Sequence, residues 1–288
     1  MKDEKLIKYL IAAFAIAWPM QIAASYFAWQ GQAGFYRMLL TGSMYAPCAA
    51  TLIAGIPLRE MGWKPSLREG KWKAFLAAWL GPAVLGAVGA ALYFLIFPAR
   101  LDTTGKFLIA QLGETGLAQL QAQGLTPQSY LAVSAVQALT WAPFLNMLAA
   151  LGEEIGWRGA MYPRLRDRFG TRGGRILGGV IWGAWHWPIM VLAGYEYGLQ
   201  YPGAPVLGPI LFCVFSAGTG ILLDVLYEKT HCIWIPSLAH GAVNAFAAIP
   251  LLLLDPAYAD QMILGPSMIG IIAGLPLLVT AVLLLRRS

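Results

Sequence analysis

Three short groups of residues in this chain carry side chains that can move protons. They are Glu153-Glu154-Ile155-Gly156-Trp157-Arg158, then Trp182-Gly183-Ala184-Trp185-His186, then His240-Gly241-Ala242-Val243-Asn244. A carboxylate with imidazoles suits hydrolysis. Glu153 can take a proton from water, and His186 can hold that water and share its proton. His240 and Asn244 stand at i and i+4, so on a helix they share a face and can both donate to an oxyanion forming on an attacked carbonyl. Glu154 and Arg158 have the same spacing with the acid N-terminal, the favourable order for an ion pair, and read as a structural pair that locks the helix. Glu153, His186 and His240 could instead ligate a zinc ion with water in the fourth position. No HExxH spacing occurs in the sequence, so that alternative rests on convergence in space alone. Asp224 is a weaker fourth suspect, and His231 beside Cys232 reads as an interfacial residue.

The elements that must position these groups are membrane helices. Of 288 residues, 58% are hydrophobic and only 12% are charged, against roughly 25% charged in a soluble domain. Mean hydropathy is +0.62. This composition excludes a disordered chain and leaves too few charges to cover an ordinary soluble globule. The expected class is an all-α polytopic membrane protein, because only helices or closed barrels satisfy their backbone in lipid. Apolar runs place eight spans at approximately 6–28, 36–57, 72–97, 128–152, 174–194, 205–227, 232–254 and 263–285. The run from Leu6 to Trp29 is longer than a signal-peptide core and reads as a retained span. Lys and Arg divide seventeen to three between the two sides of this layout, which puts both termini in the cytoplasm. At about 1.5 Å per residue, His186, His240 and Glu153 then lie roughly 18, 12 and 15 Å in from the cytoplasmic face. Three helices thus bring them to similar depth, and ionisable groups inside spans are functional suspects.

The segment 101–127 reads as an external loop with a short interfacial helix, and nothing marks a second domain. The whole chain, 1–288, is expected to form a single integral membrane domain, with residues 128–250 as the core that carries the motifs. The net charge of +6 suits loops facing anionic lipid. There is no Lys/Arg stripe interleaved with aromatics, so nucleic acid is not an expected partner. Cys48, Cys213 and Cys232 are too widely spaced for a zinc knuckle or a disulfide framework and read as small buried hydrophobes. Three functions fit these residues: a peptidase, a catalytically idle membrane scaffold or immunity protein, and a transporter using Glu and His as a proton relay.

Over residues 128–250 the chain resembles the CPBP family, the type II CAAX prenyl endopeptidases and their bacterial relatives linked to bacteriocin processing and immunity. The family pattern is EExxxR, an aromatic residue four positions before a His, and HxxxN. Here it reads Glu153 to Arg158, Trp182 to His186, and His240 to Asn244. The resemblance implies a glutamate-dependent intramembrane endopeptidase with Glu153 as general base, His186 as its water-holding partner, and His240 with Asn244 as oxyanion stabilisers. Glu154 and Arg158 match the structural half of the first motif. Members have been described both as metalloproteases and as glutamic proteases; the reading taken here needs no structural metal, and zinc stays the alternative cofactor. The expected substrate is a membrane-associated protein or peptide, in a bacterial plasma (inner) membrane. Most members have Phe where this chain has Trp182, a conservative change expected to touch no proton-carrying group.

Overall fold

Prolines and glycines decide where the long apolar runs of this chain break. The computed structural model describes residues 2–65, 68 and 71–287. Among these the chain is helical, with one isolated antiparallel bridge, Leu101 to Leu254. The helices are α1 (Lys2–Trp29), α2 (Ala33–Ser43), α3 (Ala46–Ile53), α4 (Lys71–Ile96), α5 (Lys106–Ala122), α6 (Pro127–Leu139), α7 (Ala142–Gly156), α8 (Tyr162–Trp185), α9 (Trp187–Ala193), α10 (Leu207–Thr230), α11 (Trp234–Phe246) and α12 (Leu275–Arg286).

Five stretches among the described residues are long and apolar enough to cross a membrane: Glu4–Trp29, Lys71–Ile96, Ala142–Ala193, Leu207–Thr230 and Trp234–Leu253. Their outer faces carry large apolar side chains such as Ile11, Leu95 and Ile210 in exposed positions. Such a surface suits lipid and would be a liability in water. The chain is a membrane protein built of helices.

The observed runs differ from eight uniform spans in ways that have local causes. Expected span four, 128–152, is divided between α6 and α7, and its second half shares the run Ala142–Ala193 with expected span five. That run is not one rod, because Gly170 leaves the helical region at φ 71° and ψ 165°. The expected span 36–57 is two short helices, α2 and α3. Pro47 at the start of α3 has no N–H for the carbonyl one turn back, so a continuous helix stops there. The expected last span is helical only over α12, preceded by 3-10 turns between Pro256 and Leu264. The expected interfacial helix between 101 and 127 is α5, which breaks at Gly113.

Two close helix contacts hold the centre. The α8–α10 pair is joined at one end by ions. Arg175 Nε donates to Asp224 Oδ2 at 2.8 Å, Arg166 also pairs with Asp224, and Glu228 joins the network. Asp224 is therefore a packing ion in a helix–helix network. The α7–α11 pair is the most extensive contact in the molecule and carries Glu154 and His240. It closes over Gly241, where an added Cβ would sit 2.4 Å from the Pro143 carbonyl oxygen and 2.5 Å from the Met147 nitrogen.

This approach yields a prediction. Gly241→Ala must push α11 from α7 by about 1 Å to restore normal contact distances. We expect the unfolding midpoint in detergent to fall by the equivalent of about 1–3 kcal/mol, the usual cost of overpacking. An unchanged midpoint would show that the two backbones do not meet at this glycine.

Candidate functional site

Successive residues on a helix point about 100° apart, so Glu153 and Glu154 on α7 face different neighbours. Both are buried, at 2% and 0% exposure. Each is met by its own set of donors. Glu153 Oε2 accepts from Trp157 Nε1 at 3.0 Å and from Trp182 Nε1 at 2.8 Å. Glu154 Oε1 accepts from Arg158 Nη1 at 2.8 Å and faces His240 Nδ1 at 2.8 Å. The expected ion pair of Glu154 and Arg158 is present, but Glu154 is more than a lock on its own helix: it reaches across to α11 and orients His240.

Trp182 corrects an expectation. A conservative replacement for Phe should touch no proton-carrying group, yet the Trp182 indole N–H is one of the two donors on Glu153. Phe could fill the volume but has no N–H to give. The same ring lies under the Arg158 guanidinium, 4.5 Å from its centroid, and edge-on to His240 at 5.1 Å. Its backbone carbonyl takes His186 Nδ1 at 2.9 Å. One tryptophan thus contacts both histidines, the arginine and the first carboxylate. Trp157, one turn after Glu153, gives the second indole donor, a pairing whose i,i+4 spacing the sequence already displays.

Breaks in the helices aim these groups. After α7 the chain widens into a π-type turn over Trp157–Met161, whose Trp157 and Arg158 are fully buried. Pro163 lacks the N–H that would close an ordinary helical turn there, and such bulges recur at functional sites. His186 was expected inside a continuous span. It sits instead at the junction of α8 and α9, where Pro188 stops α8. Against its ring stand Tyr195, stacked at 6.2 Å, and Phe212, edge-on at 4.9 Å.

Glu153, His186, His240 and Asn244 all line one cavity of about 160 Å³. A water occupies about 30 Å³ in the liquid, so this space admits a water together with the carbonyl it would attack. Asn244 is exposed into open space while His240 is buried, although both come from α11. The cavity also contains a residue the sequence reading missed. Glu196 lies in the loop after α9 and lines the same wall. Nothing in its local spacing pairs it with another group, so only the fold reveals its position.

The ring nitrogens define what each histidine can offer. A backbone carbonyl and a carboxylate are acceptors only, so both Nδ1 atoms carry hydrogen. Neutral His186 then presents an Nε2 lone pair. His240 presents a lone pair when neutral and a donor only as the imidazolium, whose charge Glu154 would balance. As a metal centre the set fits poorly. Among the described residues no three His, Cys, Asp or Glu side chains converge as ligands, and one oxygen of Glu153 is already committed to two indole donors.

Residues 135–246 match the family model for type II CAAX prenyl endopeptidase Rce1-like proteins. A stretch of 55 residues is 44% identical to the CAAX prenyl protease 2 of Methanococcus maripaludis, covering 19% of this chain and 20% of that protein. The matched stretch spans about a fifth of the length of that relative.

The Arg158 site gives a prediction. Arg158→Ala removes the Nη1 donor from Glu154 and the cation over Trp182, leaving His240 as the remaining partner of Glu154. Breaking a buried pair from one side costs on the order of 3–5 kcal/mol. We expect low yield and a much lower unfolding midpoint. Normal yield and midpoint with lost activity would instead place Arg158 against substrate.

Proposed function

We propose, from the match of residues 135–246 to the Rce1-like type II CAAX prenyl endopeptidase model, that the chain is an intramembrane endopeptidase of that kind whose water is activated by Glu153. The observation that carries this reading is the gathering of Glu153, His186, His240 and Asn244, from α7, the end of α8 and α11, on one cavity. Two indole N–H groups hold Oε2 of Glu153, which leaves Oε1 to the water.

Water accepts a place between Glu153 and the Nε2 lone pair of His186. Its oxygen attacks the carbonyl carbon as its proton passes to Glu153. Negative charge builds on the carbonyl oxygen and is met by the Asn244 amide and by the His240 ring, which donates there when its Nε2 carries a hydrogen. Glu153 then returns its proton to the leaving nitrogen, the C–N bond breaks, and a carboxylate and an amine depart. Donors fixed before the charge appears are the ones that accelerate the step. The Glu154 bond to His240 provides that fixation on one side. The substrate in this reading is a membrane-associated peptide, because the cavity lies within helices that suit lipid.

Two substitutions test the assignment with purified protein and quenched fluorogenic apolar peptides in detergent, assayed in the presence of a chelator. Glu153→Gln is near-isosteric and cannot take the proton, so the rate should fall by about 10²–10⁴ with the fold intact. Undiminished cleavage by this variant removes Glu153 from the role of base. Asn244→Ala should lower the turnover number by about 10²–10³ with little change in KM. A raised KM with turnover spared would make Asn244 a substrate-binding residue.

A further inference from the structure

The mechanism above uses one carboxylate of the cavity and leaves another idle. Glu196 is part-buried, lines the same cavity as Glu153, and belongs to the loop between α9 and α10. The loop is pinned on both sides of it. Tyr195 stacks on His186 with ring planes 6° apart, and the Tyr197 hydroxyl donates to the Ile269 carbonyl at 2.7 Å. Between these anchors Glu196 takes a φ of 73°, one of two non-glycine residues with positive φ among the described residues. A non-glycine residue in this region is strained, and such strain persists where the surroundings impose it. Glycine would remove the strain, so the side chain at 196 is what the arrangement retains.

Glu196 forms no ion pair among the described residues. Burial lifts its pKa above the usual carboxylate value, so a nearby cation is what would keep it ionised. The charge balance of the cavity points the same way. Its walls carry Glu153 and Glu196 and contain no Lys or Arg. On α10 the Ser216 hydroxyl, 1% exposed, lines the cavity with no hydrogen-bond partner among the described residues. A buried hydroxyl without a partner costs free energy until a ligand or water satisfies it. A wall with two carboxyl groups, no Lys or Arg and an unmatched hydroxyl lacks what a cationic amine with N–H donors supplies.

We propose that Glu196 and Ser216 form a subsite for a positively charged group of the substrate, a lysine or arginine side chain or a terminal ammonium. This deepens the peptidase reading and rests on it for the identity of the ligand as a peptide. An ammonium at Glu196 gains a carboxylate in a partly dehydrated wall, where close charge pairs are worth more than at a surface. A free carboxylate at the same place meets repulsion. The subsite therefore selects peptides with a basic residue near the scissile bond and disfavours acidic ones.

Binding separates this proposal from the catalytic one. The inactive Glu153→Gln protein is titrated with peptides of one apolar sequence in which Lys, norleucine or Glu is moved through each position. At one position Lys should tighten binding about tenfold over norleucine, and Glu should weaken it. Glu196→Gln should erase the Lys preference to within about twofold, and Glu196→Lys should transfer it to Glu, both set against tenfold per 1.4 kcal/mol. Glu196→Gly relieves the backbone and removes the charge, so it should unfold no earlier than the wild type and still lose the preference. Ser216→Ala should weaken the Lys peptide more than the norleucine peptide. No Lys preference at any position, or one that survives Glu196→Gln and Glu196→Gly, overturns the subsite. A preference that depends on Glu196, in a protein whose wild type cleaves none of these peptides, supports the subsite and counts against the peptidase reading.

Discussion

Two neighbouring carboxylates are buried on one turn of one helix, and the rest of the centre answers that constraint. An isolated carboxylate in a dry interior is too costly to keep. Two adjacent ones would also repel each other. The molecule resolves this by sending them in different directions and giving each its own donors. Glu153 receives two neutral indole N–H groups, and Glu154 receives a guanidinium and an imidazole. The first solution leaves the carboxylate without a cation of its own and open to the cavity. The second neutralises the charge and uses it to hold His240. In the proposed reaction one turn of α7 separates a reactive acid from a structural one by environment alone, a division of labour that paired carboxylates achieve in enzymes by the same means.

Trp182 ties the two solutions together. It donates to Glu153, lies beneath Arg158, faces His240 and accepts from His186 through its carbonyl. Placing it requires α8 to run close to α10 and α7 close to α11. Glycines provide both approaches. At Gly179 an added Cβ would lie 2.2 Å from the Ala217 Cα, and Gly241 meets the α7 backbone as closely. The helix breaks matter equally: the wide turn after α7 carries Trp157 and Arg158, and the stop before α9 turns His186 onto the cavity.

Much of this was legible in the sequence, and the reason is periodicity. His240 with Asn244 and Glu154 with Arg158 stand one helical turn apart, and the apolar background made their polar side chains conspicuous. The all-helical membrane class followed from composition. What spacing could not show were contacts between distant segments. The Glu154–His240 bond joins residues 86 positions apart, and the Trp182–Glu153 bond joins residues 29 apart. Glu196 escaped notice because it sits alone in a loop, where no period singles it out. Uniform spans were likewise a product of reading apolar runs by length, which passes over the single proline, Pro47, that divides the expected span 36–57.

The central claim is that Glu153 activates water and never becomes acylated. One turnover in ¹⁸O-water, followed by mass spectrometry of the products and of the protein, tests it directly. The account predicts one ¹⁸O in the new carboxyl terminus, an unlabelled protein, and no adduct when hydroxylamine is present. An ¹⁸O atom on Glu153, or an acyl-enzyme captured by hydroxylamine, would contradict it and make the glutamate a nucleophile.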